Sequence, residues 1–499
     1  MSNFRKLLHL LLAAGILLSG CASRTPEPTQ VPTTTSTLTA TPSLIITPTP
    51  GPTTTPLPPT ASPEPEPLVP EYTLDVKLDY SAHHVDVVER IEYPNTSTDT
   101  LIELHLLVET AVQDGVWSLN SAAQQDGKTL TPVFNKNDLI VPLVKPLEPG
   151  ETITIILDYA LALPSIPEPD TDSKPVVFGY TNRQTNLVDW YAVVPPYQNG
   201  SGFLLHKSSY YGESQVYASA DFNVNLELIN PPANLTVAAS AEAETDGAIT
   251  RYHRENARSF ALSISTEYLT YTQVVDGVTI TSYAFSPAFS GGQGALENTS
   301  EALQLYNELF GPYPNKTLAV VEADFLDGME YDGLYFLSKA FYNLYDGTPR
   351  GYLTTIAVHE TAHQWFYAQV GNDQAMEPWL DEAFCTFAEY LYYSNLHPDS
   401  LSWWWSVRVD FYKPQGYINL PVYDYHGFRA YRDAVYLNGA HFLVEIKDLV
   451  GEKTMTAILQ AYVAEYKGKI ATASDFFAVV AEHSDVDLSQ TLQKYFSND

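Results

Sequence analysis

From Thr73 to Asp79 apolar and polar side chains alternate, and a similar rhythm returns in Val85–Ile91, Leu101–Val108 and Thr152–Asp158. A period of two puts every second side chain on one face, so each run predicts a strand with one buried face. Pro94-Asn95, Pro149-Gly150 and Pro231-Pro232 separate such runs with residues that suit turns. Many short strands punctuated in this way predict an all-β sandwich or saddle over residues 72–275. No longer repeat points to a propeller or solenoid.

The pattern changes after about Val278. Leu318–Ala323 and Leu334–Leu337 are short apolar runs on either side of Gly328-Met329-Glu330-Tyr331, and they predict a small mixed sheet. Beyond Pro349-Arg350-Gly351 the apolar spacing becomes helical, with helices predicted near 352–370, 379–395, 432–450, 454–466 and 474–496. Gly371-Asn372-Asp373 closes the first and Gly451 the third. Residues 276–499 therefore read as an α+β domain, mostly helical in its second half.

The first seventy residues follow neither pattern. Arg5 and Lys6 precede an apolar run, Leu7–Leu18, broken only by His9. This run is shorter than the ~20 residues a membrane-spanning helix needs, and no other stretch reaches that length. It ends in Leu18-Ser19-Gly20-Cys21, which resembles the lipobox of bacterial lipoproteins. The resemblance implies a signal peptide over 1–20, a lipid on Cys21, and an extracytoplasmic protein anchored to the bacterial cell envelope. Residues 22–70 hold 14 of the 35 prolines and 14 threonines. With few apolar groups to offset the entropy of ordering, residues 21–71 read as an extended tether. Acidic side chains outnumber basic ones 59 to 26, for a net charge of −33, and loss of Arg5 and Lys6 with the signal deepens it to −35. That balance excludes a phosphate-backbone partner and a polybasic grip on anionic lipid.

The chemistry is concentrated in one helix and its neighbour. His359-Glu360-Thr361-Ala362-His363 spaces two imidazoles by four residues, so one metal can take both from one helix face. Glu360, beside the first, can reach a metal-bound water without ligating. A catalytic zinc takes three protein ligands and keeps one position open. The third ligand is expected from the next helix, where Glu382 lies in Trp379-Leu380-Asp381-Glu382-Ala383, after eighteen intervening residues from His363.

HExxH, eighteen residues and then glutamate in a Trp-Leu-Asn-Glu-like segment resembles the aminopeptidase N family of gluzincin zinc metallopeptidases, over roughly residues 72–499. The resemblance implies a thermolysin-like catalytic domain and one Zn²⁺ per chain, held by His359, His363 and Glu382, with Glu360 as the base. A Gly-x-Met-Glu-Asn segment of the family is matched by Gly328-Met329-Glu330-Tyr331 at Met and Glu, with tyrosine in the last place. There Glu330 would hold the substrate's α-ammonium, while the strand containing Gly328 and Met329 lines up the peptide. Tyr436-Leu437-Asn438-Gly439-Ala440 resembles a Tyr-x-Lys-Gly-Ala segment, with asparagine for lysine, and implies that Tyr436 donates to the oxyanion.

The function expected is therefore a lipid-anchored zinc aminopeptidase acting on peptides with a free N-terminus. A zinc endopeptidase with the same metal site and an inactive surface binding lipoprotein are the rivals. The chain ends at Asp499, so the large C-terminal helical domain of many members is expected to be absent and the cleft more open. Glu389 shares a helix face with Glu382 and is considered as a partner of the ligands. Trp403-Trp404-Trp405 reads as helix packing, His426 and His441 as packed or surface residues, and Cys385 as a buried small residue.

Overall fold

A computed structural model describes residues 68–168, 173–285 and 289–497. The signal segment, Cys21 and the tether up to residue 67 lie outside the described residues. In the strand Glu71–Asp79, Tyr72, Leu74, Val76 and Leu78 are buried while the residues between them are not, as the alternation predicts. The neighbours of this strand are not legible locally. It pairs antiparallel with His84–Pro94 and parallel with Ala220–Leu228, about 150 residues away in the chain. These strands belong to a seven-stranded sheet. Smaller sheets of three and four strands pack with it around one apolar core.

That core contains a carboxyl group. Glu89, on the strand His84–Pro94, is fully buried and accepts hydrogen bonds from Tyr159 Oη (2.9 Å) and the Ala192 amide (3.1 Å). Burial pushes its pKa up to about 8, against which these two bonds work. Because the folded value lies above the unfolded one, this group's contribution to stability is full below about 4.5 and is lost as pH rises through about 8. Within that window each pH unit costs on the order of 1 kcal/mol. Glu89→Gln is expected to gain on the wild type as pH rises, read by urea unfolding at pH 5 and pH 8. Parallel pH profiles for the two proteins would refute a buried, protonated Glu89.

The second sheet has five strands in the order Tyr268–Val275, Val278–Phe285, Thr317–Ala323, Leu334–Ser338 and, at the edge, Gly328–Tyr331. Its first two strands form an antiparallel hairpin. The boundary drawn at 275 thus falls at a hairpin turn, and this sheet takes in the chain from Tyr268 onward.

A helix at Phe289–Phe310 was not predicted, because Gly291, Gly292 and Gly294 crowd its first turns and glycine disfavours helix. Close packing requires them. A Cβ on Gly294 would lie 2.2 Å from the Tyr345 ring, and one on Gly292 2.5 Å from the Tyr271 ring.

The HExxH helix, Tyr352–Ala362, is shorter than the predicted 352–370. Past Ala362, Tyr367 takes a positive φ of 127° and its amide donates forward to the Val370 carbonyl (2.9 Å), and Arg258, from the β domain, donates to the Tyr367 carbonyl (2.6 Å) and the Gln369 carbonyl (3.4 Å) of this loop. It also donates to Lys469 O (2.7 Å), and Arg254 forms a buried ion pair with Asp332. Two buried arginines of the β domain therefore hold the helical domain on either side of the HExxH helix. The predicted 474–496 helix divides into Ala473–His483 and Ser489–Tyr495. In between, Ser484 Oγ accepts from Val486 N and Asp487 Oδ1 from Ser489 N, local bonds that compete with the helical ladder.

Candidate active site

His359 and His363 stand at the end of the HExxH helix with ring centroids 4.9 Å apart. Glu382 lies in the first turn of the helix Trp379–Leu396, which packs against it. Its Oε2 is 3.2 Å from His359 Nε2 and 3.6 Å from His363 Nε2, and all three side chains are buried. One donor atom from each lies within 4.8 Å of the other two, a spacing that suits one shared ion.

The far side of each ring is also held. His359 Nδ1 is 2.9 Å from Glu389 Oε1, and His363 Nδ1 lies 2.7 Å from Asp381 Oδ1 and 3.2 Å from the Phe366 carbonyl. Acceptors at Nδ1 place the proton there and turn both Nε2 lone pairs inward. Two neutral imidazole nitrogens and one carboxylate with such support are the donor set of a catalytic zinc, and the residues present fit that ion.

Glu389 is itself tightly held. It accepts from Trp404 Nε1 (2.8 Å) and from Arg408 Nε (3.1 Å) and Nη2 (2.8 Å). Burial would raise its pKa, but Arg408 and His359 hold it below the usual glutamate value. Both partners come from a π-helical segment, Trp404–Val409. The tryptophan run therefore packs, and its middle member also supports a histidine.

Glu360 is buried, and its Oε2 has no hydrogen-bond partner, as expected of a group kept for a water or substrate. Burial, then nearby carboxylates, push its pKa well up, with His363 opposing. Gly328 lies against its Oε1: a Cβ there would be 2.2 Å from Oε1 and 2.7 Å from Ile356 Cγ2. A side chain at 328 would displace Glu360.

Glu330, on the edge strand, lies beside Glu382, and Glu213 joins them from the β domain; one oxygen of each lies within 4.8 Å of the others. Glu213 was missed in the sequence because Tyr210-Tyr211-Gly212-Glu213-Ser214 carries no periodic or motif signal. Burial pushes its pKa up to about 7 against the pull of Lys174.

Tyr436, on a second π-helical segment, Arg432–Asn438, donates to Glu382 Oε1 at 2.5 Å and stacks parallel to His359. Burial and Glu382 push its phenol pKa well up, so it stays a proton donor. These groups line a cleft of about 300 Å³ together with Gly328 and Met329. Tyr331, in the place of the expected asparagine, turns away and donates to Asp189 (3.4 Å). His426 is exposed, His441 pairs with Asp410 (3.0 Å), and Cys385 is buried; none of the three lines the cleft.

A β domain is thus set against an HExxH helix, and Glu382 faces the two histidines from the next helix, an arrangement that suits a metal-dependent hydrolase. Residues 294–495 match the peptidase family M1 domain. The chain is 26% identical over 304 residues to aminopeptidase N of Lactobacillus helveticus, covering 56% of this chain and 36% of that protein. It is also 26% identical over 237 residues to endoplasmic reticulum aminopeptidase 1 of Mus musculus, covering 44% and 25%. The chain thus spans about a third or less of the length of these curated relatives. An M1 zinc metallopeptidase from Deinococcus radiodurans shares the fold, with TM-score 0.62 and 19% identity over 86% of this chain and 93% of that one.

Proposed function

We propose that this chain is a zinc-dependent aminopeptidase that hydrolyses the first peptide bond of substrates with a free N-terminus. The convergence of Glu213, Glu330 and Glu382 beside the histidine pair carries this reading. Two buried carboxylates and a half-buried one at one end of a cleft are costly unless a cation joins them, and an α-ammonium meets that need. An endopeptidase would not need these carboxylates beside the histidine pair, since its substrate brings no charged amine there. The unpartnered Glu360 and the donating Tyr436 argue against an inactive binding protein.

Zinc, held by His359, His363 and Glu382, would supply a Lewis acid that polarises the carbonyl and acidifies the attacking water. Glu360 takes the proton from that water and returns it to the departing amine. Tyr436 exchanges its bond to Glu382 for one to the developing oxyanion. Glu330 and Glu213 hold the ammonium and so set the bond attacked. Leucine p-nitroanilide is expected to be cleaved, and its N-acetyl form to be slower by on the order of 10⁴-fold, since blocking leaves the carboxylates unpaired. Internal cleavage of an N-acetylated peptide at comparable rate would make the enzyme an endopeptidase instead.

The same reading places the protein outside the cytoplasm, lipid-anchored through Cys21, with residues 21–71 as a spacer between membrane and enzyme. Its support is the Leu18-Ser19-Gly20-Cys21 segment and the composition after it. Cys21→Ser is expected to move the protein from the membrane to the soluble fraction; an unchanged distribution would refute the anchor.

A further inference from the structure

We infer that the enzyme prefers substrates whose first residue is arginine or lysine, an inference that rests on the aminopeptidase reading. A second cavity, of about 370 Å³, adjoins the cleft and shares Lys174, Pro175, Glu213, Met329 and Glu330 with it. A substrate with its ammonium on Glu213 and Glu330 therefore has this cavity directly beside its first Cα. No part of the hydrolytic chemistry uses the space.

The cavity wall is apolar near Val112, Val116 and Val177 and acidic at Glu109 and Asp189. Both carboxylates are fixed in place. Glu109 Oε1 accepts from Asn137 Nδ2 (2.6 Å), and Asp189 accepts from Tyr217 Oη (3.0 Å) and Tyr331 Oη (3.4 Å). Each keeps acceptor positions that these bonds do not fill. Thr110 also lines the cavity; it is 5% exposed, and its Oγ1 has no hydrogen-bond partner.

Four carboxylates and one ammonium, that of Lys174, face this space, so the α-ammonium of a substrate leaves negative charge in excess. A long side chain with an apolar stem and a cationic, many-donor head matches the wall from end to end. The head would lie between Glu109 and Asp189, with Thr110 Oγ1 as a further acceptor. Tyr331, which steadies Asp189, stands where the family segment has asparagine, so this chain's departure from that segment contributes to the subsite.

The test is a panel of aminoacyl fluorogenic amides bearing arginine, lysine, leucine and phenylalanine. Arginine is expected to exceed leucine in kcat/KM by about 10-fold or more, the scale of one charged hydrogen bond. Glu109→Gln and Asp189→Asn should each lower the arginine-to-leucine ratio by a similar factor. A ratio is read because partial misfolding depresses both substrates alike. Calorimetric binding of argininamide and leucinamide to the Glu360→Gln variant gives a readout that needs no turnover. Equal or better use of leucine or phenylalanine overturns the inference while leaving the aminopeptidase reading intact, as does a ratio unchanged in both variants. Tight argininamide binding with no turnover of any amide by the wild type supports the subsite and defeats the aminopeptidase reading alone.

Discussion

Glu360→Gln is expected to bind one zinc per chain, fold as the wild type does, and lose turnover by a factor on the order of 10²–10⁴. The residue is buried 4% exposed, is not among His359, His363 and Glu382, and leaves Oε2 without a partner. Glutamine keeps its shape and fills the space against Gly328, so neither packing nor the metal ligands change. What it lacks is an oxygen that can hold the water's proton and pass it to the leaving amine. Metal content by atomic emission and kcat on an aminoacyl amide separate the two properties. Normal turnover in a zinc-loaded Glu360→Gln protein would remove Glu360 from the chemistry and with it the mechanism given above.

The second large effect is expected at a residue that touches neither metal nor substrate. Glu389→Ala strips the acceptor from His359 Nδ1 and from Trp404 Nε1, and leaves Arg408 buried without its counter-charge. Removing one partner of a buried ion pair costs about 3–5 kcal/mol. Loss of the acceptor behind a histidine ligand lowers metal affinity by about 10–100-fold. Glu389→Gln keeps an acceptor for the ring while removing the charge, so it should fold better than Glu389→Ala and lose less zinc affinity. Chemical denaturation of both variants, with zinc competition against a chelator, reads the two effects apart. Wild-type zinc affinity in a folded Glu389→Ala protein would show that the histidine needs no such support.

The edge strand shows how sequence and packing share the work in this site. Gly328, Met329 and Glu330 were legible as a motif, yet the reason for the glycine was not. It lies in the approach of Glu360 Oε1 to within 2.2 Å of where a Cβ would stand. Glu330 was expected to act alone on the ammonium, and the structure gives it Glu213 as a neighbour from more than a hundred residues earlier. The expected helix through residue 370 stops at Ala362, and the loop that stands in place of its last turns is bound by Arg258 from the β domain.

What the sequence by itself determined is whatever repeats or is spaced along a single element. The alternation in Glu71–Asp79 fixed its buried face, and the four-residue step from His359 to His363 fixed two donors on one helix face. The eighteen residues to Glu382 are enough for a turn and a second helix, so the third donor was legible as well. Tertiary structure alone decided what arrives from elsewhere: Glu213 beside Glu330, Arg408 and Trp404 behind Glu389, Asp189 beneath Tyr331. Periodicity records the geometry of one element, whereas a buried charge is tolerable only where other elements bring it a partner. Those partners depend on how the elements pack, which no local pattern records.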